Sequence, residues 1–407
     1  MTDTRPHTQP RSTIDLDHHS PKFREDPYGP IARLRESGCP VAHSEHHGGF
    51  WALMDYASVF DAARDDDLFN SYPTVGVPPS GMPFPILPIE SDPPQTKELR
   101  DVTLRQFSPK AAETARPMAT AIANELIDSF IERGTCDIVA EFTTPLPARV
   151  ILRMLKWDES RYRDWVQWVH TLVHDRSDDP EKAGIAGMEL FGEIAKQLQA
   201  RRAEGLGDDL FSDILRGTLD GTPLDDTQIT MYGFLMMLGG MDTTSGLTGN
   251  VLLRLCQEPQ LRKELTNDPS LLAQGTDEFL RHCTPVVGQA RTVSRETRFH
   301  GQQLQAGERA LLMWAAANRD PTVFENPDTL DLRRPNARKH LSFGVGIHRC
   351  LGSHFARMMF QVMVDHILQR LPDFELAGEY ERFPDAGEVN AVRRLPIKFT
   401  PGQALRR

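Results

Sequence analysis

Near its C-terminus the chain reads Phe343-Gly344-Val345-Gly346-Ile347-His348-Arg349-Cys350-Leu351-Gly352, one cysteine entered through two glycines. Glycine lets a backbone turn where a Cβ would clash, and lets it come close to a flat ligand. Beyond the cysteine, Leu351, Phe355, Met359, Met363, Ile367 and Leu371 step by four until Pro372. That spacing predicts a helix with Cys350 at its N-terminus. Free N–H groups and the macrodipole favour thiolate over thiol there. Taken alone, such a cysteine is as often a buried structural thiol.

Two further stretches stand out in the interior. A long helix is expected from Asp225, whose side chain with Gln228 forms a capping box, to about Cys256. At 1.5 Å per residue it is roughly 45 Å long and must cross the body of the protein. Its middle reads Gly239-Gly240-Met241-Asp242-Thr243-Thr244. Each glycine costs about 1 kcal/mol relative to alanine, so either close helix packing or room for a ligand has to justify the pair. Asp and Thr beside them compete for backbone hydrogen bonds. Later, Glu278-Phe279-Leu280-Arg281 sets a carboxylate and a guanidinium on one helix face. On its own that is a surface pair worth a few tenths of a kcal/mol.

The cysteine run resembles the haem-binding loop of cytochromes P450 at Phe343, Gly344, Gly346, His348, Cys350 and Gly352. Asn318-Arg319-Asp320-Pro321 also matches, and the resemblance runs from about Asp26 to Thr400. It implies a mainly α fold with minor β sheets, the P450 fold, and heme b with Cys350 as the axial metal ligand. Phe343 and Gly344 belong to the implied cofactor site. The Gly239–Thr244 stretch resembles the oxygen-activation motif, which implies proton delivery by Asp242 and Thr243. Glu278 and Arg281 resemble the family's Glu-x-x-Arg pair, with Arg334 as third member, and the implied role is structural. For the propionates the matching residues are Arg100, Arg291 and His348. Thr96 stands where a propionate-binding His is usual, and it brings one hydrogen bond without charge.

The function implied is a haem-thiolate monooxygenase that inserts one atom of O2 into a C–H bond by hydroxylation or oxidative dealkylation. Electrons are expected from a separate ferredoxin with its reductase, and Lys339, Arg349 and Arg357 form a candidate docking face. By family position Phe84, Ile86, Leu235, Gly239, Val286, Val287 and Val392 border the substrate pocket, which points to a small hydrophobic ligand. The rival readings are a peroxide-driven haem-thiolate enzyme and a non-catalytic haem or ligand-binding protein. Intact Asp242-Thr243 argues against the first, and the lack of a sensor-output segment against the second.

Bulk properties narrow the setting. A net charge of -11 argues against nucleic acid as partner. The first residues have no apolar signal-peptide core, and Met231–Met241 is the longest apolar run, far short of the ~20 residues that span a bilayer. A cytoplasmic protein without a membrane anchor is expected. Length alone suggests two domains. The family resemblance instead implies one haem domain over 22–407 behind a loose tail over 1–21. Cys39, Cys136, Cys256 and Cys283 read as free thiols.

Elsewhere a hairpin is expected over Val41–Tyr56, turning at His47-Gly48-Gly49, and strands over Val286–Trp314. His43, His46 and His47 read as an exposed hairpin tip, not as a metal site. The proline-crowded stretch Ser71–Ile89 excludes regular helix or strand and is a candidate wall of a binding site. Trp165, Trp168, Val169 and Leu172 fall on one helical face.

Overall fold

The computed structural model describes residues 11–405 apart from Ser37, Ser177, Ala386 and Glu388. Helices dominate, and the sheets are small. The central helix spans Asp226–Gln257, and its N-terminus carries both halves of the capping box, Asp225 with Gln228. Most of its length is buried, as the mixed apolar sequence around its circumference demands. Pro145–Leu155, Pro180–Glu204 and Ser353–Arg370 pack against it, and Tyr162–His174 packs on the first two of these. One continuous hydrophobic core joins these helices, with Trp165, Val169, Phe234 and Phe355 in it. Trp157 and Trp165 stack in that core with ring centroids 4.7 Å apart.

The main sheet has five strands in the order Val41–Ser44, Phe50–Leu53, Arg309–Leu312, Gln289–Val293 and Phe69–Asn70. The first two form the expected hairpin, with His43 opposite Trp51. Arg309–Leu312 then pairs parallel with Phe50–Leu53 and antiparallel with Gln289–Val293. Between those strands the chain turns at His300-Gly301 and at Gly307, each with positive φ. Ser71–Ile89 has no regular element, and two carboxylates organise it instead. Glu90 accepts the N–H groups of Val75 and Ile86, and Asp92 those of Ser71 and Tyr72.

The tail reading needs correcting for residues 11–21; residues 1–10 lie outside the described part. Thr13 bridges to His43, Ile14 N–H donates to the His43 carbonyl, and Leu16 and His18 are buried. Pairs of acidic and imidazole side chains, His47 with Asp17 and His19 with Asp385, fasten the segment to the hairpin and to the C-terminal loop. Scattered prolines hid this, because the anchoring runs through single side chains and not through a periodic pattern.

The four remaining cysteines are free, as expected. Among the described residues no helix is long and apolar enough to cross a membrane.

Candidate active site

The cysteine run leaves Leu341 through a tight loop and enters the helix Ser353–Arg370 at Gly352, its N-cap. Cys350 N–H donates to the Phe343 carbonyl at 2.7 Å, which closes the loop on itself. Gly344 and Gly346 take φ of 63° and 78°. At Gly346 space is as decisive as φ, because an added Cβ would stand 2.3 Å from the Ala63 carbonyl oxygen. Gly346→Ala is therefore expected to destabilise the loop by about 1–3 kcal/mol from backbone strain alone, with the overlap added. A lower urea midpoint together with a lower haem-to-protein ratio checks this.

Cys350 faces a largely apolar cavity whose opposite wall is the middle of the long helix, at Gly239, Gly240, Thr243 and Thr244. The two glycines divide the two accounts of them. A Cβ on Gly240 would press on Ile151 at 3.1 Å, which is close helix packing, whereas one on Gly239 would meet nothing within 4 Å. The helix runs unbroken through this stretch, and Thr243 Oγ1 donates to the Gly239 carbonyl at 3.1 Å. Asp242, one residue away, turns its carboxylate from the cavity toward His174 and His170 on the helix Tyr162–His174.

Electrostatics around the sulfur run opposite to the helix-terminus expectation. Burial pushes the Cys350 thiol up by more than the Gly352 N–H and the guanidiniums of Arg100, Arg349 and Arg357 pull it down. Metal coordination, which deprotonates a thiol outright, is what makes such a buried sulfur anionic.

Cations gather at one edge of the cavity. Arg100 lines it and donates to the Arg349 carbonyl at 2.7 Å. Arg291 is 4 % exposed, makes no ion pair among the described residues, and is pushed down to about 10 by burial. His348 lines the cavity too, and neither of its ring nitrogens has a hydrogen-bond partner. Burial and then the charges of Arg291 and Arg100 push it down to about 3, although the Ser91 main chain favours its protonated form slightly. A buried Arg291, a partly buried Arg100 and an orphaned imidazole suit the two propionates of a haem, whose negative charge would oppose the effect of the two arginines on His348. The donor set fits the group: a thiol, an apolar slot and a cationic rim. Thr96 does not contribute as expected. Its single proton goes to the Ser91 carbonyl at 2.7 Å, and its oxygen accepts from Ser91 Oγ, so it has no proton left for a propionate.

Behind the loop lies a dense polar brace. Glu278 and Arg281 are fully buried, and Arg281 holds Glu278 through Nε at 2.7 Å and through a second nitrogen at 2.8 Å. Arg334 Nε adds bonds of 3.0 and 3.1 Å to the same carboxylate. Arg281 also reaches the Asn318 carbonyl at 2.8 Å, and Asn318 Oδ1 accepts Leu341 N–H at 2.6 Å, just before the cysteine run. A second brace was not foreseen: Asp277, next to Glu278, pairs with His340 and Arg357. Arg357 thus clamps the loop and lies over Phe343, and is not a free docking residue.

The pocket expectations divide. Leu235, Gly239 and Val286 line the cavity. Phe84 instead is 52 % exposed, and Ile86 is buried in the helical core; the loop reaches the cavity through Pro88 and Ile89. Val287 points opposite to Val286, as successive residues of an extended segment do, and packs with Ala290 and Leu311. Val392 sits against Gly249, six residues or about 9 Å along the helix from Thr243.

The family profile described as Cytochrome P450 matches residues 151–386. The steroid C26-monooxygenase of Mycobacterium tuberculosis (strain CDC 1551 / Oshkosh) is 31% identical over 88% of this chain and 96% of its own length. The chain is a cytochrome P450. Cytochrome P450 107B1 of Saccharopolyspora erythraea is 30% identical to this P450 over 92% of the chain and 96% of its own length. Among solved structures, CYP109E1 from Bacillus megaterium in complex with testosterone superposes with a TM-score of 0.83 at 25% identity, covering 94% of this P450 and 100% of that chain. P450BioI, bound to a hexadec-9Z-enoic acid ligated acyl carrier protein, gives 0.84 at 26% identity, with coverage of 93% and 100%. Membership makes the protein a monooxygenase of the oxidoreductase class, and implies a haem-thiolate centre with iron and O2.

Sequence reading missed His170 and His174. Their spacing of four places both on one turn-to-turn face of the helix Tyr162–His174. Two imidazoles repeated at that interval were the available signal.

Proposed function

We propose that this P450 oxidises a C–H bond of a neutral, mainly hydrophobic substrate, drawing electrons from a separate ferredoxin and its reductase. The observation that carries the substrate class is the wall of the cavity beside Thr243. Met154, Leu235, Met236, Leu247 and Val286 supply apolar surface there, and the basic residues of the lining, Arg100 and the neutral His348, belong to the rim. An ionised substrate would lose its hydration without gaining a partner. Steroid oxidation by curated relatives and testosterone in a structural neighbour are consistent with a bulky neutral ligand.

Cys350 would hold the iron, and Arg100, Arg291 and His348 the propionates. Haem supplies O2 activation, with the thiolate favouring O–O cleavage. Around it the chain's own residues handle water and protons. The apolar wall excludes bulk water from the substrate. Thr243 holds a proton at Oγ1, given to the Gly239 carbonyl and free to turn toward the cavity. Asp242 holds the next position inward from solvent, and is not in the cavity wall itself. For the electron donor, support comes from Arg338, Lys339 and Arg349, exposed cations beside the cysteine loop on a chain that is acidic overall.

The test is a spectral screen of the purified ferric protein against steroids, terpenoids, neutral aromatics, aromatic acids and fatty acids, following the Soret band. Neutral apolar compounds are expected to drive a low-to-high-spin shift at micromolar concentration. Response to the acids alone contradicts the substrate class.

A further inference from the structure

The helix Tyr162–His174 has no part in the chemistry described so far, yet two of its side chains end on Asp242. His174 Nε2 lies 2.7 Å from Oδ2, and His170 Nε2 lies 3.2 Å from Oδ1. His174 and Asp242 are sealed, at 0% and 2% side-chain exposure, whereas His170 keeps 20%. The Nε2 atom of His170 is itself buried and makes no hydrogen bond, so it meets Oδ1 as an ion-pair contact and not as an aligned donor. Its ring therefore spans the boundary, with one nitrogen inward at the carboxylate and another edge toward solvent.

The surroundings leave this as the open side. Phe383 stacks on His174 with centroids 3.9 Å apart and meets the His170 ring edge-on at 4.9 Å. Asp385, in the same C-terminal segment, favours the charged form of His174. Asp175, next in the chain, is engaged by Arg393 at 3.4 Å, and that guanidinium lies over the Phe383 ring. Burial works against charge on both members of the inner pair. Even so, His174 is raised by Asp242, and Asp242 is held well below the usual carboxylate range by His174 and His170.

We propose that His170 is the residue through which protons pass from solvent to Asp242, with His174 the positioning residue that keeps the carboxylate aimed at it. The inference rests on the reading of Asp242 and Thr243 as the proton route. In each transfer a proton leaves His170 Nε2 for Asp242 Oδ1, and water restores one to the ring at Nδ1. Monooxygenation consumes two protons and two electrons per O2, the electrons coming from the external donor, so the relay runs twice per turnover. To pass a proton on, Asp242 has to swing toward Thr243, and each swing breaks its contacts with both imidazoles. Histidine suits that duty. Lysine or arginine at 170 would hold the carboxylate as well, but neither releases a proton near neutral pH, which imidazole does.

The experiment uses the full-length haem-loaded protein and the compound giving the largest spin shift. O2 uptake is followed with excess ferredoxin and reductase, in H2O and D2O across pH, for wild type, His170→Gln, His174→Gln and Asp242→Asn. In parallel, histidine-labelled protein in the ferrous–CO form is titrated by nitrogen NMR. His170→Gln is expected to slow uptake about tenfold, less than the roughly hundredfold or more of a group acting directly on the reacting atoms. It should also remove a break from the pH profile, raise the solvent isotope effect, and leave the CO spectrum and substrate affinity unchanged. The NMR is expected to show His170 exchanging protons with solvent and His174 protected. If Asp242→Asn slows uptake while His170→Gln keeps the wild-type rate, pH profile and isotope effect, the inference falls and the Asp242 reading stands. If Asp242→Asn also matches wild type, the proton route itself is wrong.

Discussion

Cys350→Ser is expected to abolish turnover, by at least about a thousandfold, equivalent to some 4 kcal/mol of barrier. Serine keeps the size of the side chain and the N–H that donates to the Phe343 carbonyl, so the loop should still close. What is lost is the soft, polarisable sulfur: a hydroxyl in the same burial does not ionise, and it offers the metal a harder, weaker donor. The checks are the ferrous–CO spectrum, which should lose its thiolate-type Soret band, and substrate-dependent O2 uptake. A urea midpoint close to wild type shows that chemistry and not folding was removed. A thiolate-type band surviving in the variant would mean that another sulfur holds the iron.

Glu278→Ala is expected to have the largest effect on stability. The carboxylate, 1% exposed, receives Arg281 and Arg334 and also the Asp331 N–H at 2.9 Å. Removing it leaves two buried guanidiniums facing each other, and breaking a buried pair from one side costs about 3–5 kcal/mol. The consequence should extend to haem, because Arg281 is tied through Asn318 to Leu341 at the root of the cysteine loop. A lower denaturation midpoint and mostly haem-free purified protein are the expected results. Glu278→Gln keeps the shape and loses the charge, and should fall between the two. If the alanine variant retains both stability and haem, the brace is a surface ornament after all.

What the sequence made legible was whatever repeats a short local rule. The capping box at Asp225, the four-residue step from Phe355 to Ile367, and the glycine turns between the strands were all readable because neighbours along the chain enforce them. The cysteine loop was readable for the same reason, since Gly344 and Gly346 supply the positive φ its turns require. Contacts between distant segments left no such trace. Nothing near Asp242 reveals that two imidazoles from another helix arrive there. Val286 and Val287 are equivalent as letters and opposite in space. Arg357 read as a surface cation because its partner, Asp277, is eighty residues earlier.

The most direct test of the central claim follows the oxygen atom. The compound with the strongest spin shift is turned over under isotopically heavy O2 with the ferredoxin system, and the product is weighed by mass spectrometry. One heavy atom in the product, with none from labelled water, is the result expected of this P450. Product oxygen drawn from water, or no oxygenated product despite O2 and electron consumption, would contradict it.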